Sequence, residues 1–372
     1  MPTTGNDSLA GTPGNDVIDA LAGNDTIDGQ AGNDSLSGNI GDDTLHGAAG
    51  ADTLAGGDGN DLIFAGELFS TAGWGVSGGL KTIGTTDADI DSINAGAGDD
   101  WISAGFGDAV DGGDGQDVLD FDATSSSLGL TVSTTGSAPT GLGGVIANVE
   151  TIRFFFGSGA DSFTGGAGQD IASGGSGADS LAGGQGNDML FAGTGADTLE
   201  GGDGGDRLVA GRATRIARDP GASGFPNIGT LTTEAFDLTG DRLDGGAGDD
   251  TIDVLAGETD TIIGGDGNDI ANVIANATVS LALDLTGDAN AAASSQIGGS
   301  ISGFERWTLN GSNLTDVLIG SSGADTLNSN AGDDLLAGGD GDDVINPGAG
   351  NDVVAGGAGA DLFRFSSGSG DD

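Results

Sequence analysis

A large apolar side chain returns every nine residues along most of this chain. Leu9, Ile18, Ile27, Leu36, Leu45, Leu54 and Ile63 open the series, Ile93, Ile102, Val110 and Leu119 resume it, and Val354 and Phe363 close it. Only Ala172 and Ala271 break the rule. Two residues before each of these positions stands an Asp, and before the Asp runs a Gly-rich stretch, so the unit reads G-G-x-G-x-D-x-U-x with U apolar. A nine-residue period matches neither the 3.6 of a helix nor an unbroken alternation of two. It fits six residues of turn followed by a three-residue strand whose middle side chain points inward. Glycine at three of the six turn positions admits positive φ without a Cβ clash. Two units then close a coil of 18 residues with one strand on each face. Coils stacked at the ~4.8 Å strand spacing bring the apolar residues into two facing columns. The predicted fold class is all-β: a right-handed parallel β-roll, or β-solenoid.

The rhythm breaks four times, and the breaks divide the chain. Repeat blocks are read at 1–63, 91–120, 158–208, 241–271 and 312–365. Segments 64–90 and 209–240 leave the roll and return to four repeats each, as loop insertions. Segments 121–157 and 272–311 carry longer apolar stretches, such as Val145 to Phe156 and Val279 to Leu285, and are predicted as wider rungs without calcium. Each holds a glutamate, Glu150 or Glu305, eleven residues before the Asp that reopens the roll. Landmarks in the two halves lie 145 to 155 residues apart, which reads as a duplicated super-repeat with a third copy starting near Asp316. Residues 366–372 read as the start of a further C-terminal segment that the sequence does not complete, and the first repeat begins at Gly5 after a stretch with no signal-peptide pattern.

Charge turns the repeat into a candidate metal site. There are 58 acidic and 9 basic residues, a net charge of −49. No basic surface is available to meet phosphates, so a nucleic-acid partner is excluded. No apolar run approaches the ~18 residues of a membrane span. The 78 glycines with only six prolines rule out a collagen-like chain, and the absence of cysteine removes disulfides and thiolate chemistry. The candidate ligands are the repeat aspartates. They are Asp7, Asp16, Asp25, Asp34, Asp43, Asp52 and Asp61; Asp91, Asp100, Asp108 and Asp117; Asp161, Asp170, Asp179, Asp188, Asp197 and Asp206; Asp241, Asp250, Asp260 and Asp269; and Asp316, Asp325, Asp334, Asp343, Asp352 and Asp361. Aspartates one coil apart lie on the same edge, where bare carboxylates repel or take up protons. A hard cation with oxygen ligands resolves this: Ca²⁺ accepts six to eight oxygens, while Mg²⁺ demands a strict octahedron. Within unbroken runs 17 such pairs lie one coil apart, and spanning the interruptions allows at most 25; at +2 each, −49 moves to between −15 and +1.

The nonapeptide, clean in Gly201-Gly202-Asp203-Gly204-Gly205-Asp206-Arg207-Leu208, resembles the RTX repeat. That resemblance implies Ca²⁺ held in the Gly-rich turns, export by a type I route without an N-terminal signal peptide, and an extracellular or cell-surface location. It also implies further strands and a secretion signal beyond Asp372. Three functions stay open: a structural protein of surface-layer, adhesin or matrix type; a folding and secretion module of a longer exoenzyme or toxin; and a polysaccharide-modifying solenoid enzyme. Copies of the chain itself or an anionic cell-surface polysaccharide are the partners considered. No catalytic residues are assigned. A single histidine, His46, cannot form the H-E-x-x-H of a zinc protease and is read as a surface residue, and no lipase-type nucleophile elbow is expected. Four of the nine basic residues cluster at Arg207, Arg212, Arg215 and Arg218; pairing with the acidic roll and contact with an acidic neighbour are both consistent with them. Phe69, Trp74 and Phe225 in the insertions are consistent both with an interface and with local packing of the loops on the roll, and Phe154, Phe155, Phe156 and Trp307 are read as capping or filling the wide rungs.

Overall fold

A computed structural model of the chain describes residues 1–66, 68–69, 82–83, 89–105, 107–124, 126–133, 145–210, 240–255, 260–275, 280–287, 289–297 and 299–366. The chain divides into two compact units, residues 1–176 with 213–233, and residues 177–212 with 234–372.

In the first unit one face is a parallel stack of Ser8–Ala10, Thr26–Asp28, Thr44–His46, Leu62–Phe64, Trp101–Ala104, Val118–Asp122, Thr151–Phe155 and Ile171–Ser173. The opposite face runs Val17–Asp19, Ser35–Ile40, Thr53–Asp58, Ser92–Ala97, Ala109–Asp114 and Ile146–Ala147, with Thr131–Ser133 pairing Ser162–Thr164 separately. In the second unit one face stacks Met189–Phe191, Arg207–Val209, Thr251–Leu255, Ile270–Ile274, Arg306–Asn310, Thr326–Asn328, Val344–Asn346 and Leu362–Phe363. Its other face holds Ser180–Gln185, Thr198–Asp203, Arg242–Ala247, Thr261–Asp266 and Ser300–Ser302. A separate group comprises Ala282–Asp284, Val317–Ile319, Leu335–Asp340 and Val353–Ala358. Every one of these pairings is parallel, which is the β-roll expected from the nonapeptide.

The predicted U residues make the core. Ile27, Leu45, Ile63, Ile102 and Leu119 are fully buried in one column, and Leu36, Leu54, Ile93 and Val110 nearly so in the facing one. Each such side chain removed from water contributes about 1.5–3 kcal/mol. One face departs from the expected three-residue strand. There the strand runs on through the first glycines of the next turn, and Asn39 and Ile40 pair with Gly57 and Asp58.

The insertions do not interrupt this stacking. Thr53–Asp58 pairs in register with Ser92–Ala97, and Thr198–Asp203 with Arg242–Ala247. Phe64 and Val209, read as the first inserted residues, instead close the strands Leu62–Phe64 and Arg207–Val209. Within the first insertion Leu68–Phe69 pairs antiparallel with Thr82–Ile83. Trp74 and Phe225 fall outside the described residues, as do Arg212, Arg215 and Arg218.

The wide rungs shift the register. Strand Thr151–Phe155 points two side chains inward: Ile152 stands on Leu119, and Phe154 stands on Phe121. The next coil then stacks Ala172 on Phe154, so the core column moves by two residues and keeps its inward parity. In the second unit Trp307 faces Ala271, and the column continues through Leu309 and Leu327. The two alanines that broke the apolar rule are thus the small partners of Phe154 and Trp307. Widening begins earlier than the sequence suggested, because Val118–Asp122 and Ile270–Ile274 already belong to the last repeats before each break. Phe154, Phe155, Phe156 and Trp307 are buried as expected.

Two expectations fail here. Segment 272–311 contains a helix, Ala289–Ile297, where only strands were read. Four alanines within its first five residues favour helix, Ala293 is buried, and the Asn290 side chain accepts from the Phe304 N–H (3.1 Å) and donates to its carbonyl (3.2 Å). His46 is buried, not on the surface. Its Nε2 lies 3.1 Å from the Gly66 carbonyl, its Nδ1 3.5 Å from Asp28, and its ring meets Phe64 edge-on.

Candidate metal centre

The turn Gly56-Gly57-Asp58-Gly59-Asn60-Asp61 shows how the site is built. Gly57 and Gly59 sit at φ 121° and 137°, a region costly for any residue with a Cβ. The first glycine has a different reason. At Gly29, its counterpart in another turn, an added Cβ would lie 2.5 Å from Asp34 Oδ2 and 2.8 Å from the Gly47 carbonyl of the next coil. The missing side chain leaves a cradle in which a carboxylate oxygen and a carbonyl oxygen converge. The second turn glycine is replaced in the first block by Leu21, Gln30, Asn39 and Ala48, all held at φ between 74° and 79°.

Two ladders of opposite sense run through the turns. Along the repeats, aspartates donate their backbone N–H to the carboxylate of the aspartate one coil on: Asp25 to Asp43 Oδ1 (2.7 Å), Asp43 to Asp61 (2.8 Å), Asp188 to Asp206 (2.8 Å), Asp334 to Asp352 (2.9 Å). The residue before the aspartate runs the other way. Asn6 accepts from the Asn24 N–H (3.0 Å), Asn15 from Asn33 (3.0 Å) and Asp42 from Asn60 (3.0 Å). Reading the sequence missed this outer ladder, although the Asn and Asp residues preceding the repeat aspartates were its signal.

Of the 27 predicted ligands, all but Asp7, Asp16 and Asp361 are buried, and those three are half-buried. The aspartate ladder also closes across both insertions, from Asp52 to Asp91 and Asp61 to Asp100 (each 2.7 Å), and from Asp197 to Asp241 (2.9 Å) and Asp206 to Asp250 (2.7 Å). It does not close aspartate on aspartate at the wide rungs. There Asp161 and Asp170 accept from Leu130 and Ile152, and Asp316 and Asp325 from Leu281 and Trp307.

One oxygen of each ladder carboxylate is used by the N–H bond; the other is the interesting one. Oδ2 of Asp25, Asp34, Asp43, Asp52, Asp61, Asp100, Asp206, Asp250, Asp334 and Asp343 is buried and without a hydrogen-bond partner. A buried acceptor left so costs about 1–3 kcal/mol, more when charged. Burial, reinforced by neighbouring carboxylates, pushes Asp61, Asp100 and Asp250 up to about 7 and Asp52 to about 6; burial takes Asp170 to about 6 against the lowering hydrogen bonds from Ile152 and Gly166. Orphaned anionic oxygens beside converging carbonyls fit a hard divalent cation, and a mixed set of carboxylate and backbone carbonyl oxygens suits Ca²⁺, with its six to eight flexible oxygen ligands, better than Mg²⁺. Among the described residues no three acidic or histidine side chains gather at one point, so such an ion would draw its remaining ligands from the turn backbone.

A roll with this cradle in turn after turn defines a calcium-binding repeat protein. A family model for the RTX calcium-binding nonapeptide repeat, in four copies, matches residues 2–36, 37–67, 85–119, 157–190, 182–213, 240–259, 310–345 and 338–372, well over half of the chain. The protein belongs to this family. The unmatched stretches fall largely on the two insertions and the two wide rungs. No curated protein matches the chain.

Other candidate chemistry is sparse. Arg207 pairs with Asp253 (2.7 Å), which ties it to the roll. The sequence does contain one G-x-S-x-G spacing, Gly75-Val76-Ser77-Gly78-Gly79, against the expectation of none. It lies outside the described residues, and in a chain one-fifth glycine such a spacing arises from composition alone. Among the described residues no helix is long and apolar enough to cross a membrane.

Proposed function

We propose that the chain is an extracellular structural protein of surface-layer, adhesin or matrix type, without catalysis of its own, that folds on Ca²⁺ after export. The observation that carries this reading is the column of buried, partnerless Oδ2 atoms. Without cations those carboxylates oppose the fold, so the chain stays open where calcium is scarce, inside the cell. Outside, ion binding becomes folding free energy. A structural role is supported by the aspartate ladder, which continues past both insertions. Copies of the chain, or an anionic polysaccharide bridged by calcium, are the partners in keeping with a net charge of −49.

The test is a Ca²⁺ titration of the metal-free chain with far-UV circular dichroism and light scattering read together. β signal followed by large ordered assemblies supports the structural role. β signal in a chain that stays monomeric overturns that role in favour of a folding and secretion module. No β response to calcium overturns the calcium-folding reading itself.

A further inference from the structure

The aspartate ladder ends at each wide rung on a glutamate. The Asp117 N–H donates to Glu150 Oε2 (2.9 Å), and the Asp269 N–H to Glu305 Oε2 (3.0 Å). Each glutamate therefore occupies the place an aspartate Oδ1 holds along the ladder, as in the bond from Asp100 to Asp117 Oδ1 (2.9 Å). The connecting stretches differ, at 33 and 36 residues against the usual 18, yet both arrive at the same bond.

The rest of the cradle is present too. Asp117 and Asp269 are fully buried, and Oδ2 of each has no hydrogen-bond partner. A Cβ on Gly112 would lie 2.6 Å from Asp117 Oδ2 and would also collide with the Asn148 carbonyl. A Cβ on Gly264 would lie 2.8 Å from Asp269 Oδ2 and would collide with the Gly303 carbonyl. So a carboxylate oxygen and a next-coil carbonyl converge at both places, as they do at Gly29. Asn148 and Gly303 both take the left-handed backbone, at φ 49° and 79°, and Asn148 is held there by donating its side-chain amide to Asp111 (2.7 Å). The nonapeptide pattern is absent from these turns, but the oxygen geometry is retained.

We propose that Glu150 and Glu305 each complete a further Ca²⁺ site, formed with Asp117 and Asp269 respectively, at the entrance to the wide rungs. This rests on the calcium-folded reading above, and it moves the limit of the calcium column from the last repeat onto rungs expected to be calcium-free. The glutamate's extra methylene lets a turn that lacks the Gly-rich hexapeptide still present a carboxylate to the preceding coil.

The experiment uses the full chain with its glutamates ¹³C-labelled at the side-chain carboxylate, followed by infrared spectroscopy as Ca²⁺ is added. The chain has six glutamates, Glu67, Glu150, Glu200, Glu234, Glu258 and Glu305. The labelled carboxylate bands should shift on calcium binding, and the shift should vanish in the E150Q/E305Q chain. Equilibrium dialysis at saturating calcium should give two fewer ions per molecule for that variant. Unchanged glutamate bands in an unmodified chain that gains β signal with calcium would overturn the proposal, because the glutamates would then be structural only. A full ion count in a folded E150Q/E305Q chain would overturn it as well. A chain that binds no calcium at all would instead remove the underlying calcium reading, a separate outcome.

Discussion

Replacing Asp61 with asparagine should have opposite effects in the presence and absence of calcium. Asp61 is buried, its Oδ1 accepts the Asp43 N–H (2.8 Å), its own N–H donates to Asp100 Oδ1 (2.7 Å), and Oδ2 has no partner. Asparagine keeps the shape and the Oδ1 acceptor while removing the charge. In the metal-free chain the substitution relieves a buried anion lying between Asp43 and Asp100, and should stabilise the fold by about 1–3 kcal/mol. With calcium bound it deletes one half of a buried, charge-compensated contact, which costs about 3–5 kcal/mol. The metal-free arm is read at pH 8 as the midpoint of folding induced by a protecting osmolyte, which strengthens burial without supplying a cation. The calcium arm is read as the urea midpoint at saturating Ca²⁺. A lower osmolyte midpoint with a lower urea midpoint is the expected pair. Destabilisation in both arms would mean that Asp61 serves packing alone, and an unchanged urea midpoint would mean that no ion rests on it.

Protons should partly replace calcium. Asp61, Asp100 and Asp250 stand at about 7 in the metal-free fold against an ordinary 3.8, so the folded chain holds more protons than the unfolded one. Their stabilisation is complete below pH 3.8 and is lost as pH rises towards 7; circular dichroism of the EDTA-treated chain should show β signal falling across that window, and a rise would refute the assignment. Trp307→Phe should be neutral or mildly stabilising in thermal melts at saturating calcium, because the indole N–H is buried without an acceptor. Asn310→Ala should cost about 1–3 kcal/mol in urea titrations: its amide donates to Asn272 (2.7 Å) and accepts from Asn328 (2.9 Å), in a side-chain ladder that begins with Asn272 on Asp253 (2.7 Å).

The repeat was legible because turn, strand and ligand are all written within nine residues. Asp and U positions needed only counting, and the structure places them in the predicted columns. What the count could not reach was contact between rungs of unlike design. Nothing local to Ala172 or Ala271 says that Phe154 or Trp307 will lie against it, since that depends on a two-residue register shift set elsewhere. His46 was misread for the same reason, because its burial follows from Phe64 and Gly66, one coil on. Leu21 and Ala48 would have been poor choices for a left-handed turn position by propensity; the ladder on either side over-determines their backbone. Glu150 and Glu305 were visible as paired landmarks, but their role rests on a hydrogen bond that reaches across 33 or 36 residues.

The in-register closure from Thr53–Asp58 to Ser92–Ala97 has a consequence for how such a chain can diversify. A coil that accepts 39 residues between ladder partners as readily as 18 treats the extra length as a passenger. Stretching a connection from nine to thirty residues costs only about 1 kcal/mol of closure entropy. The stretch between Gly66 and Asp89 is therefore a natural grafting point. Sequence of different length or kind can be exchanged there while the rungs on either side keep their partners, so this stretch is free to change faster than the frame that carries it.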